Sequence, residues 1–227
     1  MIKFHPSLEQ LSEFAEGSLS SVEAIMVSAH CDMCERCQQV VASETERLAE
    51  DVLDSFDARQ SSEFERMLSS ITQLPPSDKS DRPSRTTGSC EKFTIELDGR
   101  QFVLPRTLRR FVDKTGNWSS LVGRLWQAPV DLGFPGVANF IYMERGGSVP
   151  EHTHRGTEYT LVLDGEFRDG INAYDTGDFI YMDGDHTHAP KSEATKGCLV
   201  FSVVDQPLHF TSGLARLLNP FSHMFFR

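Results

Sequence analysis

Two groups of side chains in this chain have the types and spacings to hold a metal ion. The first lies in Ser28-Ala29-His30-Cys31-Asp32-Met33-Cys34-Glu35-Arg36-Cys37. Imidazole nitrogen and thiolate sulfur are donors that zinc takes readily, and a closed structural site uses four protein groups in a tetrahedron. His30 and Cys34 stand four apart and Cys34 and Cys37 three apart, offsets that put side chains on one face of a helix or helical turn. That supplies three ligands, and the fourth is His5 or Cys31. An iron–sulfur reading of Cys31, Cys34 and Cys37 fails one step later. The ferredoxin run needs another cysteine four residues on, where Val41 stands. A thioredoxin-like reading of Cys34-Glu35-Arg36-Cys37 needs a βαβ context, and the flanking pattern is helical. The plain alternative, buried reduced cysteines, sits poorly with the polar flanks.

The second group is Gly146-Gly147-Ser148-Val149-Pro150-Glu151-His152-Thr153-His154-Arg155-Gly156-Thr157-Glu158. On a strand His152 and His154 point to one face, because the side-chain period is two. Glu158 follows across a glycine-containing turn. Two imidazoles and a carboxylate on one side make a metal site with room for further ligands. Downstream, Gly177-Asp178 opens another strand that ends in His186-Thr187-His188, and one of these histidines can complete the set. His209 and His223 have no such company and read as ordinary surface or packing residues.

Two different architectures must position these groups. Ser7-x-x-Gln10 and Ser20-x-x-Glu23 have the form of capping boxes, each ahead of a helical stripe of apolar residues. Gly17 ends the first helix, and the second runs into the His30 motif. A third helix is expected over Gln38 to Glu50. A fourth, with Ser62 as its cap, carries Phe64, Met67, Leu68 and Ile71 along one face; that face either completes a four-helix core or packs on a partner. Residues 75–92 are polar, Pro-rich and aperiodic, a linker. From Phe93 onward short apolar alternations replace the stripes: Phe93–Leu97, Thr160–Leu163, Asp178–Met182 and Cys198–Val204, with Asp98-Gly99, Asp164-Gly165 and Asp169-Gly170 as turn signals. Many short strands at this spacing indicate an antiparallel sandwich or barrel. The tail from Gly213 ends in the apolar Met224-Phe225-Phe226 and is expected to pack on a sheet face or a partner. The organisation is therefore a multidomain α plus all-β chain: residues 1–74 helical, 75–92 linker, 93–227 β.

Of the net charge of −11, residues 1–74 carry −9, with five Lys/Arg against fourteen Asp/Glu. Such a segment is repelled by phosphate backbones, so direct nucleic-acid binding is not expected; a basic protein partner would be attracted. Five cysteines, three of them clustered, fit a reducing compartment better than a disulfide framework. There is no charged-then-apolar leader and no long apolar run, so no membrane span and a cytoplasmic location are expected.

The motifs carry a family resemblance. Gly146-x5-His152-x-His154-x3-Glu158-x6-Gly165 matches the first cupin motif without a gap. Gly177-x10-His188 matches the second by spacing, although Asp183 and Asp185 stand where proline and glycine are usual. The resemblance implies His188 as the fourth ligand and a jelly-roll type, cupin-like antiparallel β-barrel. The first half, with His5 upstream of His30, Cys34 and Cys37, resembles the zinc-binding anti-sigma domain and implies His5 as the ligand there. The order of the two halves resembles the ChrR family of anti-sigma factors. That resemblance implies a helical half that binds zinc and an extracytoplasmic-function (ECF) sigma factor, occluding the surfaces the sigma factor needs for core polymerase and promoter. It implies a cupin-like half that also binds zinc and is needed for release under singlet oxygen or organic peroxide, and it gives the Phe64, Met67, Leu68 and Ile71 face to the partner. The alternative is a cupin-type dioxygenase whose three His and one Glu hold iron or another metal. Cys31 and Cys90 could add thiol sensing to the regulator.

Overall fold

The computed structural model describes residues 1–54, 61–74, 93–121, 124–211 and the single positions 213, 216 and 219. The linker with Cys90, and the apolar end with His223, lie outside the described residues.

Helix α1 (Leu8–Glu16) starts at a complete capping box, in which the Ser7 hydroxyl accepts from the Gln10 amide and the Gln10 side chain returns to Ser7. Helix α2 (Ser21–Cys31) starts at a second box on Ser20 and Glu23. Gly17, at φ 76°, ends α1 in the left-handed region, where a side chain would be strained. Helix α3 (Glu35–Asp54) is longer than expected at both ends. Helix α4 (Ser61–Thr72) begins one residue ahead of the expected cap. Its face does not complete a core: Phe64, Met67, Leu68 and Ile71 are 54, 53, 48 and 55% exposed.

The remainder is β1 (Thr94–Leu97), β2 (Arg100–Val103), a one-turn helix α5 (Arg106–Arg109), β3 (Ser119–Leu121), β4 (Leu125–Val130), β5 (Val137–Met143), β6 (His152–Thr153), β7 (Glu158–Arg168), β8 (Ala173–Asp175), β9 (Phe179–Met182), β10 (Thr187–His188), β11 (Cys198–Val204) and β12 (His209–Phe210). Asp98 and Gly99, both at positive φ, make the tight hairpin between β1 and β2. Asp164-Gly165 is not a turn. It lies inside β7, beside a β-bulge where the register against β11 slips at Leu199/Val200 and skips Leu163. Gly165 itself pairs with Cys198 at a positive φ, where a Cβ would collide with the Gly197 carbonyl.

The expected jelly-roll barrel is corrected by the sheet topology. Among the described residues there are three sheets: β1-β2, β10-β6-β12, and a larger one ordered β3-β4-β5-β11-β7-β8 with β9 beside β7. None closes on itself. The physical reason is length. Strands β6, β10 and β12 have two residues each, too few ladder bonds to stitch the edges of the large sheet together. They form instead a small separate sheet that shares a cavity with one face of the large one.

The large sheet is covered on both sides, which is why every residue of β11 is buried. By the two-residue period, Leu199, Phe201 and Val203 of β11 and Tyr159 and Leu161 of β7 face one core, shared with Leu11, Met26 and Val27 of the helices. Cys198 and Val200 of β11 and Val162 of β7 face a second core with Met143 and Met182. The sheet thus stands between the helices and the small sheet.

Candidate metal sites

The first group forms around the α2–α3 junction. His30 is the penultimate residue of α2. Its carbonyl accepts from the amides of Met33 and Cys34, and the Cys34 carbonyl accepts from Gln38, so Cys34 sits in the turn and Cys37 in the first turn of α3. His5 Nδ1 lies 3.4 Å from His30 Nε2, 3.5 Å from Cys34 Sγ and 3.4 Å from Cys37 Sγ. His30 Nε2 lies 3.3 Å from Cys37 Sγ. One donor atom from each of His5, His30, Cys34 and Cys37 falls within 4.8 Å of the others. Cys31 is outside this group; burial pushes its thiol up to about 11, which leaves it a poor nucleophile.

The chemistry of this donor set fits a cation. His30 Nδ1 faces the Gly177 carbonyl at 2.9 Å. A carbonyl only accepts, so the proton sits on Nδ1 and the Nε2 lone pair faces the cysteines. His30 is fully buried, and burial lowers its pKa to about 4. Burial, with Cys34 beside it, pushes the Cys37 thiol up to about 12. Both groups are therefore held neutral until a positive charge arrives to stabilise thiolate.

The second group joins the two facing sheets. His152 and His188 are cross-strand partners on β6 and β10, His154 follows β6, and Glu158 opens β7 on the large sheet. His188 Nε2 lies 2.9 Å from His152 Nε2 and 3.1 Å from His154 Nε2. His154 Nδ1 is 3.3 Å from Glu158 Oε2. His152 Nδ1 donates to the Pro150 carbonyl at 2.8 Å, so its Nε2 carries no proton. Three imidazole nitrogens crowd to one point with too few protons to satisfy one another, and His188 Nδ1 is buried without a hydrogen bond. Such a set fits a shared cation. Burial, then His188, lowers the His152 pKa to about 4. Burial raises Glu158, but the three histidines outweigh it and hold its carboxyl below the ordinary range. His186 stands apart, half exposed and paired with Asp183 at 2.7 Å.

Several supporting residues escape a motif search. Glu158 Oε1 accepts from Thr160 Oγ1 at 2.7 Å and from Ser202 Oγ at 3.1 Å. Thr160 and Ser202 are opposite each other on β7 and β11. The available signal was a lone hydroxyl inside the apolar run Cys198–Val204, on the same face as Glu158. Beside the group opens a cavity of about 110 Å³, walled chiefly by apolar side chains such as Leu125, Ile141, Met143, Phe167 and Met182.

A helical unit carrying a His2Cys2 group, joined to an antiparallel β unit carrying a His3Glu group, defines the class of this chain. Residues 133–207 match the ChrR cupin-like domain family. The chain is 29% identical over 234 residues to the anti-sigma-E factor ChrR of Cereibacter sphaeroides, with 97% of this chain and 98% of that protein covered. Its fold is that of a chain in the crystal structure of Rhodobacter sphaeroides SigE in complex with the anti-sigma ChrR, at TM-score 0.65 and 23% identity over 90% of this chain and 100% of that one. An RmlC-like cupin protein from Ralstonia eutropha aligns with 44% of this chain and 69% of its own at TM-score 0.39 and 17% identity. The chain is thus similar to a ChrR anti-sigma factor along nearly its whole length, and its residues 133–207 carry the ChrR cupin-like domain.

Proposed function

We propose that this protein is a cytoplasmic anti-sigma factor that sequesters an ECF sigma factor and releases it on an oxidative signal, singlet oxygen or organic peroxide. It is a negative regulator of transcription and not an enzyme. The observation that carries this reading is the end-to-end likeness to an anti-sigma factor, 97% of one chain on 98% of the other.

The physical features agree with it. No helix among the described residues is long and apolar enough to cross a membrane. The helical half is acidic, and a sigma factor must present basic surface to promoter phosphates. The α4 face leaves Phe64, Met67, Leu68 and Ile71 to a protein partner, as amphipathic helices in grooves do. His5, His30, Cys34 and Cys37 would hold zinc, which supplies a rigid staple for helices with a small core. His152, His154, Glu158 and His188 would hold a second zinc ion in the half that receives the signal.

The test is a reporter driven by the cognate sigma factor. Substituting His30, Cys34 and Cys37 together is expected to derepress the reporter without any stress. A His152→Ala, Glu158→Ala double variant is expected to keep repression and lose induction. Full repression by the first variant, or normal induction by the second, would overturn the reading.

A further inference from the structure

The helical metal group is not held by helices alone. Chain segment 2–5 lies against the turn between β8 and β9. Asp178, fully buried, accepts on Oδ1 from the amides of Lys3 at 2.6 Å and Phe4 at 3.0 Å. Its Oδ2 accepts from the Asp175 amide at 2.8 Å. The Phe179 amide donates to the Phe4 carbonyl at 3.0 Å, and Lys3 Nζ pairs with Asp175 at 2.8 Å. His5 is the next residue along. One position before Asp178, the Gly177 carbonyl receives His30 Nδ1. The turn is itself pinned to the large sheet, because Gly177 donates to the Val162 carbonyl and Val162 to that of Asp178. Gly177 has φ 93°, and a Cβ there would stand 2.5 Å from Ile2 Cδ1. A side chain at that backbone angle is strained, and it would push the Ile2 side chain aside.

We propose that the Asp175–Phe179 turn of the β half is the outer shell of the helical metal site. It aims His5 by clamping the two residues before it, and it aims His30 by fixing the tautomer that leaves Nε2 free. Partners that orient ligands in this way set metal affinity as much as the ligands do. The site's hold on its ion is therefore a property of both halves, and β9 continues from the turn along β7 until Met182 lies opposite Glu158 of the second group. The inference rests on the metal reading above and deepens it: the half assigned to signal reception touches the ligands of the half assigned to the sigma factor.

The experiment uses the full chain with Co²⁺ as probe. Thiolate-to-cobalt charge transfer arises only where cysteine binds, so it reports the Cys34–Cys37 site and is silent for the sulfur-free second group. Competition with a chelator gives the affinity. Asp178→Ala and Gly177→Ala are expected to weaken it about 10–100-fold. Asp178→Asn is expected to fall between, because its amide oxygen still accepts from Lys3 and Phe4 while its NH2 meets the Asp175 N–H. Should Asp178→Ala fail to fold, Gly177→Ala and Asp178→Asn carry the test. Phe140→Leu, in the shared core away from the turn, controls for general destabilisation and is expected to leave the affinity unchanged. Unchanged affinity in the turn variants, or an equal loss in Phe140→Leu, would overturn the positioning role. No charge-transfer band in the unaltered chain would overturn the metal reading itself.

Discussion

Tyr159→Phe removes one oxygen from the seam between the helices and the sheet. Tyr159 Oη donates to Glu23 Oε1 across that seam at 2.6 Å. The ring is buried on β7, whereas Glu23 is half exposed near the start of α2. A hydrogen bond to a charged group contributes about 1.5–3 kcal/mol, but an exposed carboxylate rehydrates when its donor is lost. Rehydration brings the net effect to or just below the floor of that range, about 1–1.5 kcal/mol, which is about 2–6 °C in Tm for a chain of this size. Burial raises the Glu23 carboxyl, but the Tyr159 and Ser20 hydrogen bonds prevail and hold it below its ordinary 4.5. Burial, then Glu23, pushes the Tyr159 phenol far above its usual range, so it stays a donor throughout the assay. With a depressed folded pKa, the stabilisation is complete above the unfolded value of 4.5 and is lost as pH falls through the folded value. Urea unfolding of metal-free wild type and Tyr159→Phe should therefore differ at neutral pH and converge in acid. Equal stability at neutral pH, or a gap independent of pH, would refute the reasoning.

Four further outcomes are expected. Cys34→Ser or Cys37→Ser removes the ion of the helical site and lowers the Tm, read by zinc content and circular dichroism on one preparation. In the metal-free chain, His30 drops from 6.5 unfolded to about 4 folded. The unfolded chain then binds the extra proton in that window, so stability rises by about 3 kcal/mol as pH climbs through it; a flat urea midpoint there would contradict this. Met67→Glu and Ile71→Glu, both on the exposed α4 face, should shift unfolding by less than about 0.5 kcal/mol and weaken sigma-factor binding at least about tenfold in calorimetry. Ser202→Ala frees one lone pair of Glu158 and should weaken metal at the second group about tenfold, with no effect on the cobalt–thiolate band.

The halves of this chain were legible because each has its own period. Capping boxes at Ser7 and Ser20 announced α1 and α2 by local chemistry alone, and the structure has both. The metal-type groups were legible where ligands are close in sequence. His5 was harder: nothing local ties it to His30, and the structure brings it there through Asp178, 173 residues further on. Closure of the β half was misjudged because motif spacing reports ligands and turns, not whether two-residue strands can bridge sheet edges. The Asp164-Gly165 pair has turn chemistry, but its glycine lies within β7, where it supplies a positive φ and admits the Gly197 carbonyl. The uniform burial of Cys198–Val204 came from a sheet with a layer on either side, and an apolar run alone does not say which layers those are.

Helix α2 shares its core with β7 and β11, so the central claim is best tested on the intact chain. The purified, zinc-loaded protein is mixed with the ECF sigma factors of its source organism, and complexes are resolved by size-exclusion chromatography with zinc measured across the peak. The account predicts a stable one-to-one complex with one of them, carrying zinc and inactive in transcription with core polymerase. A folded, zinc-loaded chain that binds none of them would contradict it.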